Sequence, residues 1–124
     1  MGEAFNIVVI DDDHLVCETI VSLLEIAGHK VRSAHDGDEG LALIKQTTPE
    51  LVITDIVMPT KEGMETIIDI LKHSADVKII AISGQGQTTG GSYLDMAKKL
   101  GAQATLAKPF SHQELIETVE KVMH

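Results

Sequence analysis

The chain has 124 residues, 44% hydrophobic but only 2% aromatic, which suits one domain with an aliphatic core and excludes a disordered chain. Its formal net charge is −9, from 19 acidic and 10 basic residues, which argues against a nucleic-acid backbone or an anionic membrane as the main partner. The single cysteine, Cys17, excludes an intramolecular disulfide and a thiolate metal cluster, and reads as a small apolar residue on a helix.

In chain order, Met1 to Asn6 has neither the basic nor the apolar region of a signal peptide, and no later apolar run approaches the ~20 residues of a membrane span. A soluble protein of the reducing cytoplasm is expected. Ile7-Val8-Val9-Ile10 is predicted as a first strand, running into Asp11-Asp12-Asp13. A helix follows with Val16, Ile20, Leu23, Leu24 and Ala27 on one face, capped by Asp13 and stopped by Gly28. Lys30 to His35 alternates, as an edge strand does. The helix over 37–46 is weaker, because Leu41, Leu43 and Ile44 all lie in its second half.

Leu51-Val52-Ile53-Thr54 is a third strand, ending at Asp55, and Met64, Ile67, Ile68 and Leu71 mark a third helix. Val77 to Ile82 is a fourth strand, ending in Ser83-Gly84. The glycine-rich stretch Gln85 to Gly91 is expected to be mobile. A fourth helix, about 92–100, carries Tyr93, Ala97 and Leu100 on one face. Ala104 to Ala107 is the last strand, followed by Lys108-Pro109, where the proline holds Lys108 extended and leaves a cis bond open to it. Ser111 and Glu114 have capping-box spacing before a final helix bearing Leu115, Ile116, Val119 and Val122.

Continuous aliphatic strands alternating with helices predict a parallel sheet covered on both faces. Right-handed crossovers and an edge position for the second strand select the order 2-1-3-4-5, a flavodoxin-like (βα)5 three-layer sandwich. The whole chain, 1–124, reads as one domain. In this topology ligands bind beyond the carboxyl ends of the strands. Those ends carry Asp11, Asp12, Asp55, Ser83 and Lys108. Asp13 is read as a cap only. Clustered carboxylates need a counter-charge, and hard oxygen ligands suit Mg²⁺ or Mn²⁺. A carboxylate beside a cation, a lysine and a hydroxyl is a set that can accept a phosphoryl group.

These residues resemble the receiver domain of two-component response regulators, of the chemotaxis-regulator type. The resemblance spans essentially the whole chain, through Val9 to Asp13, Leu51 to Pro59, Gly63, Ile82-Ser83-Gly84, Gly101-Ala102 and Lys108-Pro109-Phe110. It implies that Asp55 is the phosphoacceptor, that Asp12 binds the cation directly and Asp11 through water, and that the Val57 carbonyl completes the protein ligands. It implies Ser83 and Lys108 as partners of the phosphoryl oxygens. The implied donor is phosphohistidine on a sensor histidine kinase or histidine phosphotransfer protein, and the implied output is altered binding of a downstream protein. No output domain is expected in this chain, and no direct contact with nucleic acid or membrane. The family usually has Tyr or Phe three residues before the lysine; here that residue is Thr105. Phosphorylation is expected to survive this change, and the mode of output to differ.

Three other readings have weaker support. Gly86 to Ser92 approximates a nucleotide-binding loop but lacks its lysine and follows the fourth strand rather than the first. An aspartyl-phosphate hydrolase would place an acid two residues after Asp55, where this chain has Val57, so self-dephosphorylation is expected to be slow. The alternative to phosphorylation is an interaction module that keeps the fold alone. The six histidines lack metal-site spacing and read as surface residues.

Overall fold

A computed structural model describes residues 3–56, 63–84 and 90–124. Strands and helices alternate strictly: β1 (Asn6–Ile10), α1 (His14–Ile26), β2 (Lys30–Ala34), α2 (Gly37–Gln46), β3 (Leu51–Asp55), α3 (Gly63–His73), β4 (Lys78–Ser83), α4 (Gly90–Leu100), β5 (Ala104–Ala107) and α5 (His112–Met123). All neighbouring strands are parallel, in the order β2-β1-β3-β4-β5. This is the predicted flavodoxin-like sandwich, with the alternating β2 at an edge.

Side-chain alternation along the strands makes the three layers. Ile7 and Val9 of β1 face Cys17, Ile20 and Leu24 of α1 and Leu115 and Val119 of α5. Val8 and Ile10 face the other way, toward Ile44 of α2, Ile67 and Ile70 of α3 and Ala97 of α4. Central strands are therefore apolar on both faces, which is why they read as unbroken aliphatic runs. Among the described residues, no helix is long and apolar enough to cross a membrane.

The local signals act as expected at several boundaries. The Asp13 carboxylate accepts from the Leu15 and Val16 N–H groups and caps α1. Past the other end of that helix, Gly28 takes φ +101°, a conformation costly for residues with a Cβ. Ser111 and Glu114 form a complete capping box on α5. The Lys108–Pro109 bond is cis. The weak pattern of α2 has a physical reason: its first half packs Gly37 and Gly40 inward, and a Cβ on Gly40 would lie 2.3 Å from Ile10 Cδ1. The strand residue fills the space that a large helix residue would take.

Three expectations need correction. The inner face of α3 is Gly63, Thr66, Ile67 and Ile70, while Ile68 is 38% exposed. Ala27, placed on the inner face of α1, is exposed beyond the helix end. His29 is buried, stacks on Phe5 and accepts the Phe5 N–H at Nδ1, so it is not a surface histidine. Cys17 is buried on α1, as expected. The glycine-rich stretch and Val57 have their expectations outside the described residues, apart from Gly90 and Gly91, which begin α4. The side chain of Tyr93 also lies outside them.

Candidate functional site at the carboxyl ends of the strands

Each chemistry-bearing residue sits where a strand stops. Asp11 follows β1, Asp55 is the last residue of β3, Ser83 is the last of β4, and Lys108 follows β5. Backbone bonds hold these ends in register: Asp11 N–H donates to Ala34 O at 3.1 Å, Ile56 N–H to Ile82 O at 2.9 Å, and Lys108 N–H to Ser83 O at 2.8 Å. The fold thus brings together residues far apart in sequence without needing their side chains to hold one another.

Carboxylate oxygens of Asp11, Asp12 and Asp55 lie within 4.8 Å of one another. Asp11 and Asp55 are buried, with side chains 1% and 6% exposed, whereas Asp12 is exposed. The Lys108 ammonium reaches across, 2.8 Å from Asp11 Oδ2 and 3.1 Å from Asp55 Oδ2. Burial alone would lower the Lys108 pKa, but the Asp11 and Asp55 carboxylates outweigh it and the net shift is upward. Lys108 therefore stays charged and serves both carboxylates at once. Among the described residues, the Lys108 ammonium faces the three carboxylates of Asp11, Asp12 and Asp55, a set of hard oxygen ligands that suits a divalent cation. Asp11 has a second role, since its Oδ1 accepts the Asp13 N–H at 2.9 Å and steadies the turn into α1.

Ser83 Oγ is buried and has no hydrogen-bond partner among the described residues. A buried hydroxyl without a partner is uncommon in a folded protein, and this one ends β4, the strand beside the one that ends in Asp55. Gly63 fixes the wall behind Asp55. A Cβ there would sit 2.1 Å from Ile56 Cα and 2.6 Å from Asp55 O, so only glycine lets α3 start against the end of β3. Sequence reasoning quoted Gly63 as a motif residue without this role. The signal was a glycine opening the helix that follows the acidic strand. Five of the six predicted site residues, Asp11, Asp12, Asp55, Ser83 and Lys108, lie at these strand ends; Val57 lies outside the described residues.

The profile of the response regulator receiver domain family matches residues 7–120. The chain belongs to that family. Relatives of this receiver domain include CpxR, a transcriptional regulatory protein of Klebsiella pneumoniae, at 32% identity over 95% of the chain and 49% of CpxR. PilH of Pseudomonas aeruginosa is 29% identical over 95% of the chain and 97% of its own length. The chain thus spans about half of CpxR but nearly all of PilH. Among solved structures, NtrX of Brucella abortus superposes with a TM-score of 0.91 at 29% identity, covering 98% of this chain and 27% of NtrX. A CheY-like receiver domain protein of Methanospirillum hungatei gives 0.85 at 27% identity, covering 96% and 93%.

Proposed function

We propose that this receiver domain accepts a phosphoryl group on Asp55 in a Mg²⁺-dependent (or Mn²⁺-dependent) reaction and thereby switches its binding to a downstream protein. The carrying observation is the convergence of Asp11, Asp12, Asp55 and Lys108 with the buried Ser83 hydroxyl, which has no partner among the described residues, at one sheet edge. Asp11, Asp12, Asp55 and the Val57 carbonyl would hold the cation. When bound, it neutralises the carboxylates and draws charge from the phosphoryl oxygens.

An Asp55 oxygen forms the new bond to phosphorus while the phosphorus–nitrogen bond of a phosphohistidine breaks, and the imidazole leaves with the electron pair. Lys108 can follow the new charge, because its ammonium already contacts Asp55 Oδ2. The Ser83 hydroxyl donates to a phosphoryl oxygen. The donor is a sensor histidine kinase or a histidine phosphotransfer protein, and a cytoplasmic setting suits this exchange. The domain acts as a signalling element rather than a turnover enzyme. No acid follows Asp55 at Val57, so the aspartyl phosphate should hydrolyse slowly.

Incubation with acetyl phosphate, read by intact mass, tests the proposal. The parent should gain one phosphoryl group only with Mg²⁺ or Mn²⁺, and Asp55→Asn should gain none. No gain with either metal would leave the non-phosphorylated interaction module as the better reading.

A further inference from the structure

The first turn of α1 and the turn after β2 bring two histidines together. β1 and β2 run parallel and in register as far as Ile10 and Ala34, and the Asp11 N–H donates to Ala34 O. His14 opens α1 and His35 follows β2. Their rings stack face to face, with 3.8 Å between centroids and 1° between planes. The backbone is anchored on each side: the Asp13 carboxylate caps α1, and the His35 N–H donates to Glu39 Oε1 at 2.9 Å. No two histidines of the chain are four residues apart, but Glu18 lies four residues after His14, on the same face of α1.

An open cavity of about 300 Å³ is lined by His14, Glu18 and His35, with Cys17 and Ser33 beside them. His14 and Glu18 are exposed and His35 is half-buried, so their side chains can turn toward one point. The Glu18 carboxylate has no ion-pair partner among the described residues. Cys17 is buried. Burial first, then Asp11, and more weakly Glu18 and Glu39, push its thiol pKa up. The thiol therefore stays protonated and is a poor ligand, while the two glutamates make the surroundings favourable to a cation. Two imidazoles and a carboxylate differ in kind from the all-oxygen cluster of Asp11, Asp12 and Asp55. Oxygen ligands suit Mg²⁺, whereas imidazole suits Zn²⁺ and its neighbours in the first transition row.

We propose that His14, Glu18 and His35 form a second cation site, which binds Zn²⁺ through two imidazole nitrogens and one carboxylate oxygen and leaves a fourth position to water. The stack supplies the preorganisation, since two rings already side by side need only turn to present one nitrogen each to a common ion. Glu18 completes the set from the next turn of the helix. The bound ion ties the start of α1 to the turn after β2, two segments otherwise joined here by the ring contact. None of the three ligands belongs to the set assigned to phosphoryl transfer, so the site stands whether or not Asp55 is phosphorylated.

The test is a calorimetric titration of the whole chain with Zn²⁺ alone, in millimolar Mg²⁺ to occupy the carboxylate cluster. One ion per chain should bind with a Kd on the order of 10 µM. His14→Ala and His35→Ala should each weaken binding by about tenfold or more, and Glu18→Gln by about threefold. Cys17→Ala, His73→Ala and Asp55→Asn should stay within about twofold of the parent. In nitrogen-15 spectra of the parent, Zn²⁺ should move the imidazole signals of His14 and His35 and leave those of His73 and His112 in place. These spectra decide the matter even where a variant fails to fold. Weakening by Asp55→Asn but not by the histidine variants would put the ion in the carboxylate cluster. Loss in Cys17→Ala would make the thiolate a ligand, and one ion per two chains would make it a bridge between molecules. Each of these results, or no binding by about 1 mM, would overturn the inference.

Discussion

At the amino end of the sheet, polar groups answer one another. His29 Nδ1 accepts the Phe5 N–H at 3.1 Å, and Asn6 and Glu50 exchange two bonds of 2.9 Å, one through a side chain and one through the backbone. At the carboxyl end, three carboxylates face one ammonium and the Ser83 hydroxyl has no partner among the described residues. Both ends belong to the same strands and have the same apolar core between them. The difference teaches where stability and function separate. A closed polar network fixes the fold, whereas an incomplete one stores the capacity to bind.

The strongest way to break the contrast is Lys108→Met. Without divalent ions it would leave Asp11 and Asp55 buried with no shared counter-charge, and unfolding free energy should fall by about 3 kcal/mol in urea titrations. A loss near zero would mean that the ammonium is not what holds the site together. The next effect is that of the cation. At a hundredfold excess over its Kd, Mg²⁺ should raise the parent's stability by about 2.7 kcal/mol. Asp12→Asn should start out more stable than the parent without metal, because one repelling carboxylate is gone, and should gain less from Mg²⁺ in thermal melts. An equal gain would remove Asp12 from the cation site.

The amino end should behave differently. His29→Phe keeps a ring against Phe5 but deletes the acceptor for its N–H, which should cost about 1 to 2 kcal/mol, with or without Mg²⁺. A Mg²⁺-dependent cost would contradict the separation of the two ends. The smallest expected effect is on pH dependence. Burial first, and then the negative charge of Asp11, push the Cys17 thiol pKa up. A raised pKa means the unfolded chain releases this proton first, so stability falls as pH climbs past the ordinary thiol value of about 8.5. Urea midpoints measured between about pH 7 and 9.5 should fall less steeply for Cys17→Ala. Lys108 shares the sign, but its contribution persists to the higher lysine range, so the two windows separate.

The fold was legible because its signals are local. Aliphatic strands, the Asp13 cap, Gly28 and the Ser111–Glu114 box each act within a few residues. The candidate site was legible because the topology sends every strand end to one edge, so reading the residue after each strand was enough. What the sequence hid depends on close approach or long range. Ile68 completes a regular apolar stripe on α3, yet the helix lies so near β3 at Gly63 that its small residues turn inward and Ile70 replaces Ile68. His29 read as a surface histidine, and its partner lies 24 residues away. That one ammonium bridges two carboxylates depends on distances no spacing rule contains.

The strand order also bears on how the chain folds as it is made. β1 lies between β2 and β3, so the first three strands can assemble as a unit once β3 has emerged. β4 and then β5 add to the outer edge in the order of synthesis, and no early strand waits exposed for a late neighbour on its other side. The exception is the face of the sheet that carries Ile80, Ile82 and Leu106, whose cluster is completed by Leu115 and Val119 of the last helix. A nascent chain would hold that cluster part-covered, by α1 alone, until α5 is available. Emergence of α5 is then the step that completes the core of this domain, and the interval before it is when the domain is most open to chaperones or to aggregation.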